Sequence, residues 1–72
     1  MEYIGIDIEG MSCAHCVAAV TRALEGVEGV EVEQVRVGSA TLAYDPARVR
    51  PERIVEAVEN EGYQVTGRRE QS

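Results

Sequence analysis

Tyr3-Ile4-Gly5-Ile6-Asp7-Ile8-Glu9-Gly10-Met11-Ser12-Cys13-Ala14-His15-Cys16-Val17-Ala18-Ala19-Val20-Thr21 carries two hydrophobic periods with a short loop between them. Over residues 3–8 apolar side chains alternate. Ile4, Ile6 and Ile8 share one face while Tyr3, Gly5 and Asp7 share the other, which is the pattern of a half-buried strand. From about Ala14 the period lengthens. Val17, Val20, Thr21 and Leu24 fall at i, i+3, i+4 and i+7, a single helical stripe. Ala18, Ala19 and Ala23 add intrinsic propensity. Ser12 or Cys13 stands near the N-cap, and Gly26 stops the helix after Glu25.

The same alternation of strand and helix returns downstream. Val30 and Val32 begin a second strand, and Val35 and Val37 continue it in the opposite parity. That change calls for a bulge near Gln34, or for the far end to pack on its other face. Gly38-Ser39 reads as a hairpin turn, and Ala40, Leu42 and Tyr44 alternate as a third strand until Asp45-Pro46 breaks it. Pro51 suits the first position of a second helix running to about Asn60. Val49 and Ile54 then occupy the N′ and N4 positions of a hydrophobic staple. Ile54, Ala57 and Val58 supply its buried stripe, with Val55 at the margin, and Gly62 ends it. Tyr63-Gln64-Val65-Thr66 reads as a short last strand, and the charged segment from Gly67 to Ser72 is expected to fray.

The element order predicts an α+β fold: a ferredoxin-like βαββαβ sandwich, with a four-stranded antiparallel sheet carrying both helices on one face. One domain is expected over residues 1–67, followed by a frayed polar tail over 68–72. No linker, repeat or low-complexity tract interrupts it.

Composition narrows the function. A chain of 72 residues buries only a thin core. With neither Phe nor Trp, that core must be filled by Ile, Val, Leu, Ala and three Tyr. The formal net charge is −6, with seven basic residues, all arginine. Nucleic acid calls for the opposite footprint; an acidic surface suits solubility or a basic partner. The longest apolar runs are far too short to span a bilayer, and no signal-peptide pattern opens the chain, so a cytoplasmic protein is expected.

All the thiol and imidazole chemistry sits in one loop: Cys13, His15 and Cys16 are the only such residues. A disulfide between Cys13 and Cys16 would close too small a loop to staple the fold. In a reducing compartment such a pair binds metal or does redox chemistry. Structural zinc wants four protein ligands, and no second Cys pair exists. A dithiol-disulfide oxidoreductase also sets such a pair at a helix N-terminus, but those folds are longer and order their strands differently. Two thiolates do suit Cu(I), which is soft and accepts two nearly collinear sulfurs. The helix N-terminus offers N–H groups and positive dipole to the anionic site. Cys16 should lie in the first turn as the more protected sulfur, and Cys13 on the loop as the more exposed one. Low coordination leaves room for an incoming thiolate, so binding can be tight and handover fast.

Gly10-Met11-Ser12-Cys13-Ala14-His15-Cys16 resembles the metal-binding loop of the heavy-metal-associated domains, and is most similar to that of small bacterial copper chaperones. The resemblance extends through Gly26-Val27, Val30, Val32, Ala40 to Pro46, Ile54, Val58-Glu59 and Glu61-Gly62-Tyr63, covering about residues 3 to 66. It implies a Cu(I) carrier, monomeric when apo, that delivers to the metal-binding domain or ion-entrance site of a copper-transporting P-type ATPase. Copper-bridged dimers are compatible with two such loops sharing ions. The alternatives are an excised metal-binding domain of such an ATPase and a mercury carrier. The rival from another class is the small dithiol-disulfide oxidoreductase. An opening Met and a short polar tail favour a free protein.

The resemblance also bears on the neighbours of Cys13 and Cys16. Met11 has a soft thioether, but in the family this residue packs under the loop and holds its shape, and Met fills gaps well. His15 is either an exposed loop residue or, as in similar chaperones, one that tunes thiol acidity or supplies a ligand when two molecules associate. Tyr63 follows the Gly after which a family member's side chain approaches the metal loop, as second-shell support. Ser12 is most simply an N-cap. Zinc-exporting relatives often carry Asp there, and the absence of a carboxylate favours Cu(I).

Overall fold

The computed structural model describes residues 1–12 and 14–71. Their elements follow the expected order: β1 (Glu2–Glu9), α1 (Ala14–Glu25), β2 (Val30–Arg36), β3 (Ser39–Tyr44), α2 (Pro51–Glu59) and β4 (Gln64–Gln71). The strands form one sheet in the order β2-β3-β1-β4, with every neighbouring pair antiparallel. Both helices cover the face that carries Ile4, Ile6 and Ile8, as the ferredoxin-like expectation requires.

The core is a single cluster. Ile4, Ile6 and Ile8 from β1 meet Ala40, Leu42 and Tyr44 from β3, Val20 and Leu24 from α1, and Ile54 and Val58 from α2. Each fully buried aliphatic side chain contributes about 1.5–3 kcal/mol of transfer free energy, and no charged side chain among the described residues is buried. Helix α2 starts where its sequence dictates. Arg50 is extended at the N-cap without a side-chain cap bond, Pro51 opens the helix, and Val49 and Ile54 are both buried in the core beside that start. Glu52 caps its own backbone N–H and lies near Arg68, which together hold its carboxyl below the ordinary range.

The valine parity change in β2 is a bulge. Val32 pairs with Leu42 and Gln34 with Thr41, so Glu33 is the extra residue. Val30, Val32 and Val35 therefore all pack on the core side. The hairpin turn falls one residue earlier than expected, at Val37-Gly38, because Arg36 still pairs with Ser39.

The last strand differs more. It starts at Gln64 and does not fray after Thr66: β4 pairs with β1 as far as Tyr3↔Gln71. Residues 68–71 of the expected tail are thus part of the sheet, and Ser72 lies outside the described residues. The reason is polar. Arg69 donates to both Asp7 carboxylate oxygens at 3.0 and 3.3 Å, and the Tyr44 hydroxyl donates to Glu70 at 3.3 Å. Burial pushes the Tyr44 phenol above its ordinary value, and the carboxylates of Glu2 and Glu70 push it further.

Candidate metal-binding loop

Strand β1 ends at Glu9 and α1 starts at Ala14, so the loop has four residues in which to turn from sheet to helix. Gly10 makes the turn with φ +98°, a conformation that a β-carbon disfavours. Met11 then points inward and joins the core cluster with 9% exposure. A buried residue flanked by exposed Gly10 and Ser12 pins the middle of the loop to the body of the domain.

Ser12 stands exposed two positions ahead of α1, and Ala14 and His15 are also exposed. Cys16 is half-buried in the first turn of α1, packed against the core. Cys13, the other expected ligand, lies outside the described residues. No acidic residue occupies the first turn of α1. No carboxylate within that turn therefore competes for its N–H groups and positive dipole end. Among the described residues, no three His, Cys, Asp or Glu side chains gather as a metal cage.

Tyr63 reaches the loop through sheet register. Glu9 pairs with Gln64 at the end of the β1–β4 ladder, so Gly10 and Tyr63 come next on the two chains. The Tyr63 ring packs against the core, and its Cδ1 lies 3.5 Å from where a β-carbon on Gly10 would stand. That register depends on the bulge at Thr66, which nothing in the apolar pattern announced. The β2–β3 turn comes to the same end, since the Ile8 N–H donates to the Gly38 carbonyl at 2.8 Å.

A recess of about 270 Å³ lies elsewhere, between the C-terminal end of α1 and the start of α2. It is lined by Gly26, Val27, Glu28, Arg48, Val49 and Arg53. Its two arginines already pair with Glu28 and Glu56. It holds neither thiol nor imidazole, so it is not where the soft-ligand chemistry lies.

The chain belongs to the heavy-metal-associated domain family, whose profile matches residues 6–64. That is a class of metal-binding domain and not of enzyme. The copper chaperone CopZ of Staphylococcus aureus is 37% identical over 62 residues, covering 83% of this chain and 91% of that protein. A copper-binding domain from the P-type ATPase HMA7 superposes with a TM-score of 0.86 at 32% identity, over 94% of this chain and 97% of that one. The N-terminal domain of a potential copper-translocating P-type ATPase from Bacillus subtilis, solved in its Cu(I)-loaded state, gives 0.80 at 30% identity, over 94% and 90%. In the described residues no helix is long and apolar enough to cross a membrane.

Proposed function

We propose that this protein is a Cu(I) metallochaperone of the cytosol, with Cys13 and Cys16 as the metal ligands. The observation that carries the reading is Cys16 in a carboxylate-free first turn of α1, three residues after Cys13, on a loop pinned by buried Met11. Two thiolates satisfy a soft monovalent ion, and the helix end stabilises the anionic complex. Met11 supports the loop from beneath and Tyr63 from the side. Ser12 leaves the site without a hard oxygen ligand, and exposed His15 borders it on the solvent side.

Transfer then needs no change of oxidation state. A thiolate of the acceptor adds to Cu(I), one donor sulfur leaves, and the second follows. The acceptor is the metal-binding domain or ion-entrance site of a copper-transporting P-type ATPase. The apo protein is a monomer, and two such loops can share ions in a copper-bridged dimer.

Competition against a strong Cu(I) chelator tests the reading. The reduced protein should take up one Cu(I) per molecule, and Cys13→Ser or Cys16→Ser should each abolish that uptake. Equal copper retention by wild type and the double variant would sink it. Catalytic turnover of a model disulfide at low protein concentration would favour the oxidoreductase instead.

A second reading has a specific observation behind it. The two ATPase domains each superpose over 94% of this chain, so the same fold and loop can serve as a metal-binding domain of a transporter. A reading frame that continues into membrane-spanning helices would establish that form.

A further inference from the structure

Strand β4 consists of two unlike halves joined by a bulge. Asp7 pairs with Gly67 and Ile8 with Val65, so Thr66 is the extra residue in the ladder. On the loop side of that bulge, Val65 packs against the core. Beyond it, Arg68, Arg69 and Glu70 are exposed, and the side-chain contacts that tie them down are polar. Arg69 holds Asp7, Arg68 lies 3.5 Å from Glu52, and the Tyr44 hydroxyl bonds Glu70. Exposed ion pairs of this kind hold weakly and are screened by salt.

We propose that residues 67–71 are a detachable strap over the edge of β1. The strap opens as a unit in the folded protein, with Thr66 as its hinge. Residues 64 and 65 stay in place, and Tyr63 keeps its position against Gly10. Local opening of this sort is the norm for segments with few buried apolar contacts.

Opening has a defined consequence for the backbone of β1. The Ile8 N–H points to the Gly38 carbonyl, on the β3 side. Alternation along an antiparallel strand then sends the Ile4 and Ile6 N–H groups to β3, and those of Gly5 and Asp7 to β4. A raised strap bares the second set only, and the first set keeps its bonds to β3.

Residue-resolved amide hydrogen exchange on the full chain tests this. Gly5 and Asp7 should exchange faster than Ile4 and Ile6, although all four lie in one strand. Raising the salt to about 0.5 M, or the substitution Arg69→Ala, should speed Gly5 and Asp7 by about fivefold. Ile4 and Ile6 should not respond, nor should Glu9, whose N–H faces Gln64 on the loop side of the bulge. Equal rates for the two sets under every condition would overturn the proposal, as would faster exchange of Glu9 together with Gly5 and Asp7.

Discussion

The ring of Tyr63 lies against Gly10, with its Cδ1 3.5 Å from the place a β-carbon would occupy. That spacing is ordinary van der Waals contact, so an added methyl group would fit. The obstacle at Gly10 is its backbone, held at φ +98°. The strand register brings the two residues together, and the positive φ lets the chain leave β1 beneath the ring. The exit of the chain from β1 is therefore set by sheet register and by the backbone of Gly10.

Gly10→Ala separates space from backbone conformation. It should destabilise the protein by about 1–3 kcal/mol, the range for a non-glycine residue forced into such a conformation. Gly38→Ala is the control, because Gly38 has φ +94° and nothing within 4 Å of an added β-carbon. Denaturant midpoints should fall for both. Crowding against Tyr63 would instead show as a loss at Gly10→Ala well beyond that at Gly38→Ala.

The core is thin enough that one truncation should be severe. Leu24 is fully buried between α1 and the sheet, and Leu24→Ala should cost about 2–5 kcal/mol. A small domain has little more than that to lose. Val37→Ala, at a site 55% exposed, should stay within about 0.5 kcal/mol. Urea titration at constant m-value reads both.

Stability should fall at both ends of the pH scale for identifiable reasons. The Glu52 carboxyl is held below its ordinary 4.5, chiefly by its own backbone N–H and then by Arg68. Its contribution is present above 4.5 and lost as pH drops through the folded-state value. The Tyr44 phenol is raised above 10.0 by burial, then by Glu2 and Glu70. Its contribution is complete below 10.0 and lost as pH rises through the folded-state value. Glu52→Gln should flatten the acid limb of the melting profile, and Tyr44→Phe the alkaline limb. Either limb unchanged in its variant would remove that assignment.

These contrasts track what the chain makes legible on its own. The alternation of Ile4, Ile6 and Ile8 and the helical stripes through Leu24 and Val58 describe local periods, and the structure follows them. The parity change between Val32 and Val35 announced the β2 bulge for the same reason. The far half of β4 has no apolar period. Arg69 finds Asp7 across 62 residues of chain, and Glu70 finds Tyr44 across 26, so charge pairing at a distance replaces a readable pattern. In the loop, the thiols and Met11 stood out by residue type. Tyr63 emerged only through resemblance, because its place beside Gly10 depends on the unannounced bulge at Thr66.

Met11 offers the sharpest test of how the loop is held. Its thioether could ligate copper by softness, yet its side chain lies in the core cluster at 9% exposure. A ligand must present sulfur to the ion, whereas a support must present volume to its neighbours. Met11→Leu keeps the volume and removes the sulfur, and such swaps usually cost less than about 1.5 kcal/mol. It should leave Cu(I) affinity unchanged in chelator competition. Met11→Ala removes the volume and should lower stability by about 2–5 kcal/mol, with copper binding weakened through a looser loop. A large loss of Cu(I) affinity in a stably folded Met11→Leu protein would instead make Met11 a third ligand.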